Sequence, residues 1–360
     1  MSTGGRPVRD SAAILDDEEG LLAADPQGLL DAYLRTGDQF AAAYRAATEQ
    51  LEPAAGAASV TFCAMGGSAA AGDVVAGAYQ DRVPIPVSTV RGYRLPAHCG
   101  PDDLVVCVSY SGNTEETLAA YTEAVGRGCR VIAVCSGGEL AARASADGMA
   151  AALVPAGIPQ PRAAFGALLG AALGALRGVL PDEGEVEAAA EPVSSLAERL
   201  APGIDSIRNP AKVTATWLGD HIPLVWGSEG VTGAAAFRWK SAFNENAKIP
   251  AFASVLPELD HHEVVGWSEG WGGGFRLIVL RHEDEHESVG PRIQATLDAI
   301  KGSGLESREI HAPAAPPIAA ALALTMIGDC ASVYHALARG IDPAPIDAIA
   351  QVKARLAEGP

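Results

Sequence analysis

The stretch Leu104–Thr117, LVVCVSYSGNTEET, decides the fold. Its first half, Leu104–Val108, is an uninterrupted apolar run dominated by valine and entered from Pro101-Asp102-Asp103. A short β-branched run without polar alternation reads as a strand buried on both faces, as in the interior of a parallel sheet. It empties into Ser109, Tyr110, Ser111, Gly112, Asn113 and Thr114, and Glu115 opens a helix predicted to reach about Val125. A strand, a hydroxyl-rich turn and a helix N-terminus in succession form an anion socket. Free backbone N–H groups and the positive end of the helix dipole converge there, and hydroxyls add donors. A helix cap needs one hydroxyl. This turn offers three, Ser109, Ser111 and Thr114, and a phosphate-type ligand is the expectation.

Outward from this stretch, strands and helices alternate. Upstream lie a polar, acidic segment over residues 1–25, loosely ordered at its start, a helix over Gln27–Leu51, a strand over Ala58–Ala64, a helix over Ser68–Tyr79 and a strand over Ile85–Thr89. Downstream come strands at Arg130–Cys135 and Ala151–Val154, a short helix at Gly138–Ala146 and an apolar helix at Arg162–Leu180. This alternation predicts an α/β, doubly wound parallel sheet. Residues 181–185, PDEGE, break the pattern, and a charged helix follows over Val186–Leu200. A second series then runs through strands at Leu224–Gly227, Ala251–Ser254, Phe275–Arg281 and Ser307–His311. Helices at Gly230–Asn246 and Pro291–Lys301 intervene, and helices at Pro317–Arg339 and Pro345–Leu356 close the chain. The 360 residues have room for two cores. The predicted division is 1–50 for an N-terminal extension and helix, 51–185 for a first α/β unit, 186–210 for a connecting helix and linker, and 211–360 for a second unit with the C-terminal helices.

Composition narrows the function. With 26 basic against 44 acidic residues the formal charge is −18, which argues against nucleic acid as a partner. An anionic ligand must then be held by local fields: helix dipoles and one or two placed cations. The six cysteines are scattered without a C-x-x-C pair, and Cys63, Cys107 and Cys135 fall in or at the ends of predicted core strands. This suits a reducing, cytoplasmic compartment. The opening MSTGGRPVRD has no apolar run of the signal-peptide kind. Ala163–Leu176 is too short to span a bilayer and is bracketed by Arg162 and Arg177, so it reads as a buried helix.

Met65-Gly66-Gly67-Ser68 supplies a second strand-to-helix turn, with glycines for close backbone approach and a serine for capping or for a ligand oxygen. It is no dinucleotide fingerprint, because G-x-G-x-x-G is absent and no acidic residue ends the Ile85–Thr89 strand. Two such turns at the carboxyl end of one sheet can share a ligand.

MGGS at 65–68 with Gly72-Asp73, SYSGNTEET at 109–117, PQPR at 159–162, FNENAKIP at 243–250, LDHHEVVGW at 259–267 and GDCASVYHALARGIDP at 328–343 together resemble the sugar isomerase (SIS) family. The similarity is to its bifunctional phosphoglucose/phosphomannose isomerase branch and runs in order from about residue 60 to the C-terminus. The serine-rich segment alone marks a phosphosugar-binding SIS domain, whereas NEN and the histidine segment after it mark the isomerase branch. The resemblance implies two SIS-type αβα sandwich subdomains with parallel sheets, a homodimer, and catalysis without a metal or other cofactor. Position by position, Gly67, Ser68, Ser109, Ser111 and Thr114 match the phosphate turns. Arg162 matches an arginine that stabilises an enediolate, Glu245 the catalytic base, His261 the ring-opening histidine contributed across the dimer interface, and Lys353 a lysine near the ring oxygen. Two departures stand out. His262 follows His261 where the family often has Asn, and Ala69-Ala70-Ala71 follow MGGS where it often has glycine.

The chemistry of these side chains is consistent with that role. Aldose–ketose isomerisation needs a carboxylate to carry one proton between two carbons, and Glu245 lies at the end of the predicted Gly230–Asn246 helix. Ring opening needs an acid and a base, for which His and Lys serve. A cation such as Arg162 lowers the energy of the enediolate. Two metal readings are set aside: the adjacent His261-His262 point about 100° apart on a helix, and His282-Glu283-Asp284-Glu285-His286, which spells H-E-x-x-H, directly follows a predicted strand where the motif requires a helix. The expected activity interconverts fructose 6-phosphate with glucose 6-phosphate, mannose 6-phosphate or both, with a small phosphosugar as substrate and neither nucleic acid nor membrane as partner. The competing readings are a non-catalytic phosphosugar sensor and an isomerase of another phosphosugar.

Overall fold

The computed structural model describes residues 11–54, 56–181, 184–313 and 315–357. The first ten residues, and residues 182 and 183 of the predicted break, lie outside them. The strands of the described residues form two parallel sheets. The first holds β1 (Val60–Ala64), β2 (Val87–Val90), β3 (Leu104–Val108), β4 (Arg130–Cys135) and β5 (Ala150–Leu153) in the order β2-β1-β3-β4-β5. The second holds β6 (Ile222–Ser228), β7 (Phe252–Leu256), β8 (Phe275–Arg281) and β9 (Glu306–His311) in the order β7-β6-β8-β9. All residues of β1 and β3 are buried, as their unbroken apolar sequences require. Ala64 pairs with Val108, so the two strands end level. From β1 the chain moves outward to β2 and then crosses to β3 on the other side. The turns after β1 and β3 therefore meet at a topological switch point, the usual ligand crevice of such sheets.

Several elements differ from the sequence reading. Residues 11–24 are ordered as two short helices, Ser11–Leu15 and Glu18–Ala24, which bury Leu15 and Leu21. The Gln27–Leu51 helix is two helices, Leu29–Leu34 and Thr36–Gln50. At the junction the Thr36 hydroxyl donates to the Tyr33 carbonyl at 2.7 Å, a local bond that competes with helix continuation. The Arg162–Leu180 helix starts as a 3-10 turn, Pro161–Ala164, and is α-helical over Phe165–Ala175. Its Gly166 and Gly170 lie against the 36–50 helix, where an added Cβ would fall 2.3 Å from the Thr36 carbonyl oxygen and 2.2 Å from that of Phe40. The charged helix divides into Glu185–Ala188 and Ala190–Leu200. A helix at Pro210–Leu218, absent from the sequence reading, is capped by the Asn209 side chain.

The 22-residue helix Pro317–Ala338 is buried along its length from Ile318. It is apolar and long enough to cross a membrane, yet 94% of its most apolar window is covered by the rest of the protein. One continuous hydrophobic cluster joins it to Phe62 and Val106 of the first sheet and to Ile278 and Leu280 of the second. The two α/β units thus share a core, and the helix carries Asp329 into its centre.

Candidate functional site

The turn after β3 is held open by its own hydrogen bonds. Ser109 is buried, its backbone N–H donates to the Val134 carbonyl at 3.0 Å, and its hydroxyl lies 2.8 Å from that of Thr114. The Asn113 N–H donates to Ser111 Oγ at 3.2 Å. Gly112 takes φ +68°, and a Cβ there would fall 1.9 Å from the Gly137 carbonyl oxygen. Only glycine satisfies both conditions. From the neighbouring turn, Ser68 Oγ accepts the Tyr110 N–H at 3.4 Å. Gly67, Ser68, Ser109, Ser111 and Thr114 thus come from two strand-to-helix turns at the carboxyl end of the first sheet, with the 66–79 and 115–126 helices beginning there. This has the form of an oxyanion-binding site.

Arg162 enters from the 3-10 turn after Pro161 and is 3% exposed. Its Nε donates to Asn246 Oδ1 at 2.7 Å and its Nη1 to Gln160 Oε1 at 3.2 Å. Its Nη2 donates to the carbonyls of Pro343 and Ala344, each at 2.9 Å. Nη1 also lies 3.8 Å from Glu245 Oε2. Glu245 does not end an α-helix. The helix stops at Ala242, and Phe243–Ala247 form a π turn that closes on Lys248, at φ +57° the sole non-glycine residue of positive φ among the described residues. Inserted π turns recur at functional sites because they redirect side chains. Here the turn buries Asn246 and leaves Glu245 partly open to solvent. Asn246 also donates to Ser332 Oγ at 2.9 Å and to the Tyr33 hydroxyl at 3.2 Å. Lys248 Nζ donates to the Glu245 carbonyl and, at 2.9 Å, to that of Pro343. Partial desolvation, and secondly the Arg162 charge, lower its ammonium from the ordinary range.

Beneath Arg162 lies an ion pair that sequence reasoning missed. Arg238 and Asp329 are 3% and 1% exposed. Arg238 Nε donates to Asp329 Oδ1 at 3.0 Å, and Nη2 donates to Oδ2 at 2.8 Å and to the Arg162 carbonyl at 2.6 Å. Burial pushes the Asp329 carboxyl up to about 6 against the pull of Arg238. A signal was present: Asp329 is the single formally charged residue in the predominantly apolar Pro317–Ala338 sequence. Its partner, 91 residues earlier, carried no such mark.

The other two candidate residues stand apart. His261 and His262 are exposed in and after the 3-10 turn Glu258–His261. The His261 ring makes no hydrogen bond or ion pair among the described residues, while His262 Nε2 lies 3.6 Å from Glu258. Lys353 is exposed on the helix Asp347–Ala357. That helix follows the Pro343–Ala344 segment gripped by Arg162 and Lys248, so its root is in the site although Lys353 is not bonded there. His282–His286 forms a turn after β8, with Glu285 paired to Arg281 at 2.8 Å, and lacks the helix that H-E-x-x-H requires.

A concavity of about 650 Å³ runs between the 66–79 and 231–242 helices, walled by Gly66, Gly67, Asp73, Arg91, Arg238 and Lys240. Hydroxyl-bearing turns, a partly solvated carboxylate and a fixed guanidinium are the groups that proton transfer next to a developing oxyanion requires.

Comparison with known proteins gives the family. Residues 55–156 match the SIS domain family, and residues 207–356 match the bacterial phospho-glucose isomerase C-terminal SIS domain family. The chain is 35% identical over 304 residues to a bifunctional phosphoglucose/phosphomannose isomerase of Caldicellulosiruptor bescii, covering 83% of this chain and 89% of that protein. It is 35% identical over 299 residues to a protein of the same name from Aquifex aeolicus, covering 82% and 90%. Among solved structures, a hypothetical protein from Thermus thermophilus superposes with a TM-score of 0.72 at 16% identity, covering 97% of this chain and 95% of that one.

Proposed function

The chain belongs to the bifunctional phosphoglucose/phosphomannose isomerase family, and from that premise we propose that it interconverts fructose 6-phosphate with glucose 6-phosphate and mannose 6-phosphate. The observation that carries this reading is the placing of Glu245 beside Arg162, at 3.8 Å, in a chain whose first sheet also carries two hydroxyl-bearing turns in contact at its carboxyl end. In this scheme Ser68, Ser109, Ser111 and Thr114 hold the phosphate with the backbone at Gly67. His261 and Lys353 open the furanose or pyranose ring. Glu245 removes a proton from C1 of the open-chain ketose, giving a cis-enediol, and returns it to C2. Arg162 stabilises the oxyanion formed between the two transfers. Glucose and mannose 6-phosphates differ only at C2, so one base serves both when the C2–C3 bond rotates in the site.

The exposure of His261 supports its working in the cleft of a second copy of the chain, which makes the homodimer part of the proposal. No step of the scheme uses a metal. The six cysteines are free and buried, in keeping with a reducing compartment such as the cytoplasm.

The test is direct. EDTA-treated protein is incubated with fructose 6-phosphate, and the aldose products are resolved by coupled assays. Both aldoses are expected, and Glu245→Gln should abolish their formation while leaving sugar-phosphate binding intact. Full activity in that variant would sink the assignment of the base. Binding without any product from the parent protein would favour the sensor.

A further inference from the structure

Arg162 matches the arginine of the isomerase branch, yet in this structure four of its five N–H donors are engaged within the protein. Nε serves Asn246, Nη1 serves Gln160 and faces Glu245, and Nη2 serves two backbone carbonyls. Arg238 is different. Its Nε and Nη2 are bound to Asp329 and to the Arg162 carbonyl, but its Nη1 has no partner among the described residues. That nitrogen lies beside Gly67 at the start of the 66–79 helix: a Cβ placed there would fall 3.0 Å from it. The side chain forms part of the wall of the 650 Å³ concavity, although the residue is only 3% exposed. Its guanidinium is fixed on the other sides, with the Phe165 ring 5.4 Å and the Tyr33 ring 6.0 Å from its central carbon. A buried, rigid cation with one free N–H₂ facing a cleft is a preorganised donor, and it needs no reorganisation to bind an anion or a hydroxyl.

We propose that Arg238 is a substrate-binding residue, its Nη1 donating to an oxygen at the phosphate-proximal end of the bound sugar phosphate. Asp329 aims it, and Gly67 leaves the room through which it reaches. This accounts for how a chain of formal charge −18 holds a dianion at that turn. The inference rests on the phosphosugar reading of the cleft, and the experiment separates the two.

Fructose 6-phosphate binding is titrated calorimetrically in the Glu245→Gln background, where no turnover intervenes, and KM and kcat are measured in the parent background. Arg238→Lys keeps a cation for Asp329 but cannot reach both the carboxylate and the cleft. It should weaken binding roughly 10- to 100-fold, the usual range for losing a charge-assisted hydrogen bond, mainly through KM. Should the lysine variant fail to fold, Arg238→Met with Asp329→Leu replaces the buried pair by apolar groups, an exchange that proteins tolerate, and the same loss is expected. In the unsubstituted protein, saturation with fructose 6-phosphate should shift the guanidinium ¹⁵N resonances of Arg238. A folded variant that binds within about twofold of its background, or resonances that do not move on saturation, would overturn the role of Arg238 alone. A parent protein that binds no fructose 6-phosphate would overturn the phosphosugar reading and this inference with it.

Discussion

Replacing Asn246 by alanine probes the connection between the two α/β units. Asn246 is fully buried, and its amide makes three bonds: it accepts from Arg162 Nε at 2.7 Å and donates to Ser332 Oγ at 2.9 Å and to the Tyr33 hydroxyl at 3.2 Å. A hydrogen bond to a charged group contributes about 1.5–3 kcal/mol and a neutral one about 1 kcal/mol. No solvent reaches the site to replace them, so the loss should total about 3–5 kcal/mol. Urea titration should show a lower midpoint at unchanged m, the mark of lost stability without a change in surface exposed. Activity should suffer separately. Arg162 loses the anchor that sets its plane next to Glu245, and kcat should fall by about tenfold or more, as expected when a catalytic group is displaced slightly. Adding Ser332→Ala to Asn246→Ala should cost less than the sum of the two single changes, because the variants remove a shared bond. A stability loss below about 1 kcal/mol with kcat unchanged would refute the claim that this amide joins the units and orients Arg162.

Two further predictions concern stability. His335 is 2% exposed, and burial holds its imidazole down at about 4. Between that value and the ordinary value of 6.5 the unfolded chain takes up a proton that the folded chain refuses, so this contribution is complete above about pH 6.5 and is lost as the pH falls toward 4. The gap corresponds to about 3 kcal/mol, and His335→Gln should flatten the urea midpoint between pH 7 and pH 4.5; an unaltered pH dependence would count against it. At Gly112, alanine would combine φ +68° with a Cβ 1.9 Å from the Gly137 carbonyl oxygen. The strain alone costs about 1–3 kcal/mol, and the clash should push the Ser109–Thr114 turn out of register. Gly112→Ala should therefore weaken fructose 6-phosphate binding in calorimetry as well as lower the melting temperature, and parental affinity would refute the reading of the turn.

Features that depend on neighbours in the chain were legible in the sequence. The Leu104–Val108 run, the hydroxyls after it and the glycines of residues 65–68 report strand, turn and helix start within a dozen residues, and the structure has them there. The boundary errors have local causes as well: the Thr36 hydroxyl bonded back to Tyr33 divides one predicted helix, and the π turn at Phe243–Ala247 ends another before Glu245. Hydrophobic periodicity does not register one hydrogen bond gained or lost at a helix end.

The sequence by itself determined the alternating α/β plan, the two hydroxyl-bearing strand-to-helix turns and the residue types available for proton transfer, because each is written in short-range pattern and motif. Only the tertiary structure decided that β1 and β3 are neighbours ending level, that Arg162 is bound through Asn246 to a segment 84 residues away, and that Arg238 meets Asp329 across 91 residues. Nothing in the local pattern of Arg238 distinguishes it from a solvated helix arginine. Its buried position follows from the packing of the 231–242 helix against the Pro317–Ala338 core helix, where a desolvated guanidinium is stable only if a carboxylate is packed in with it.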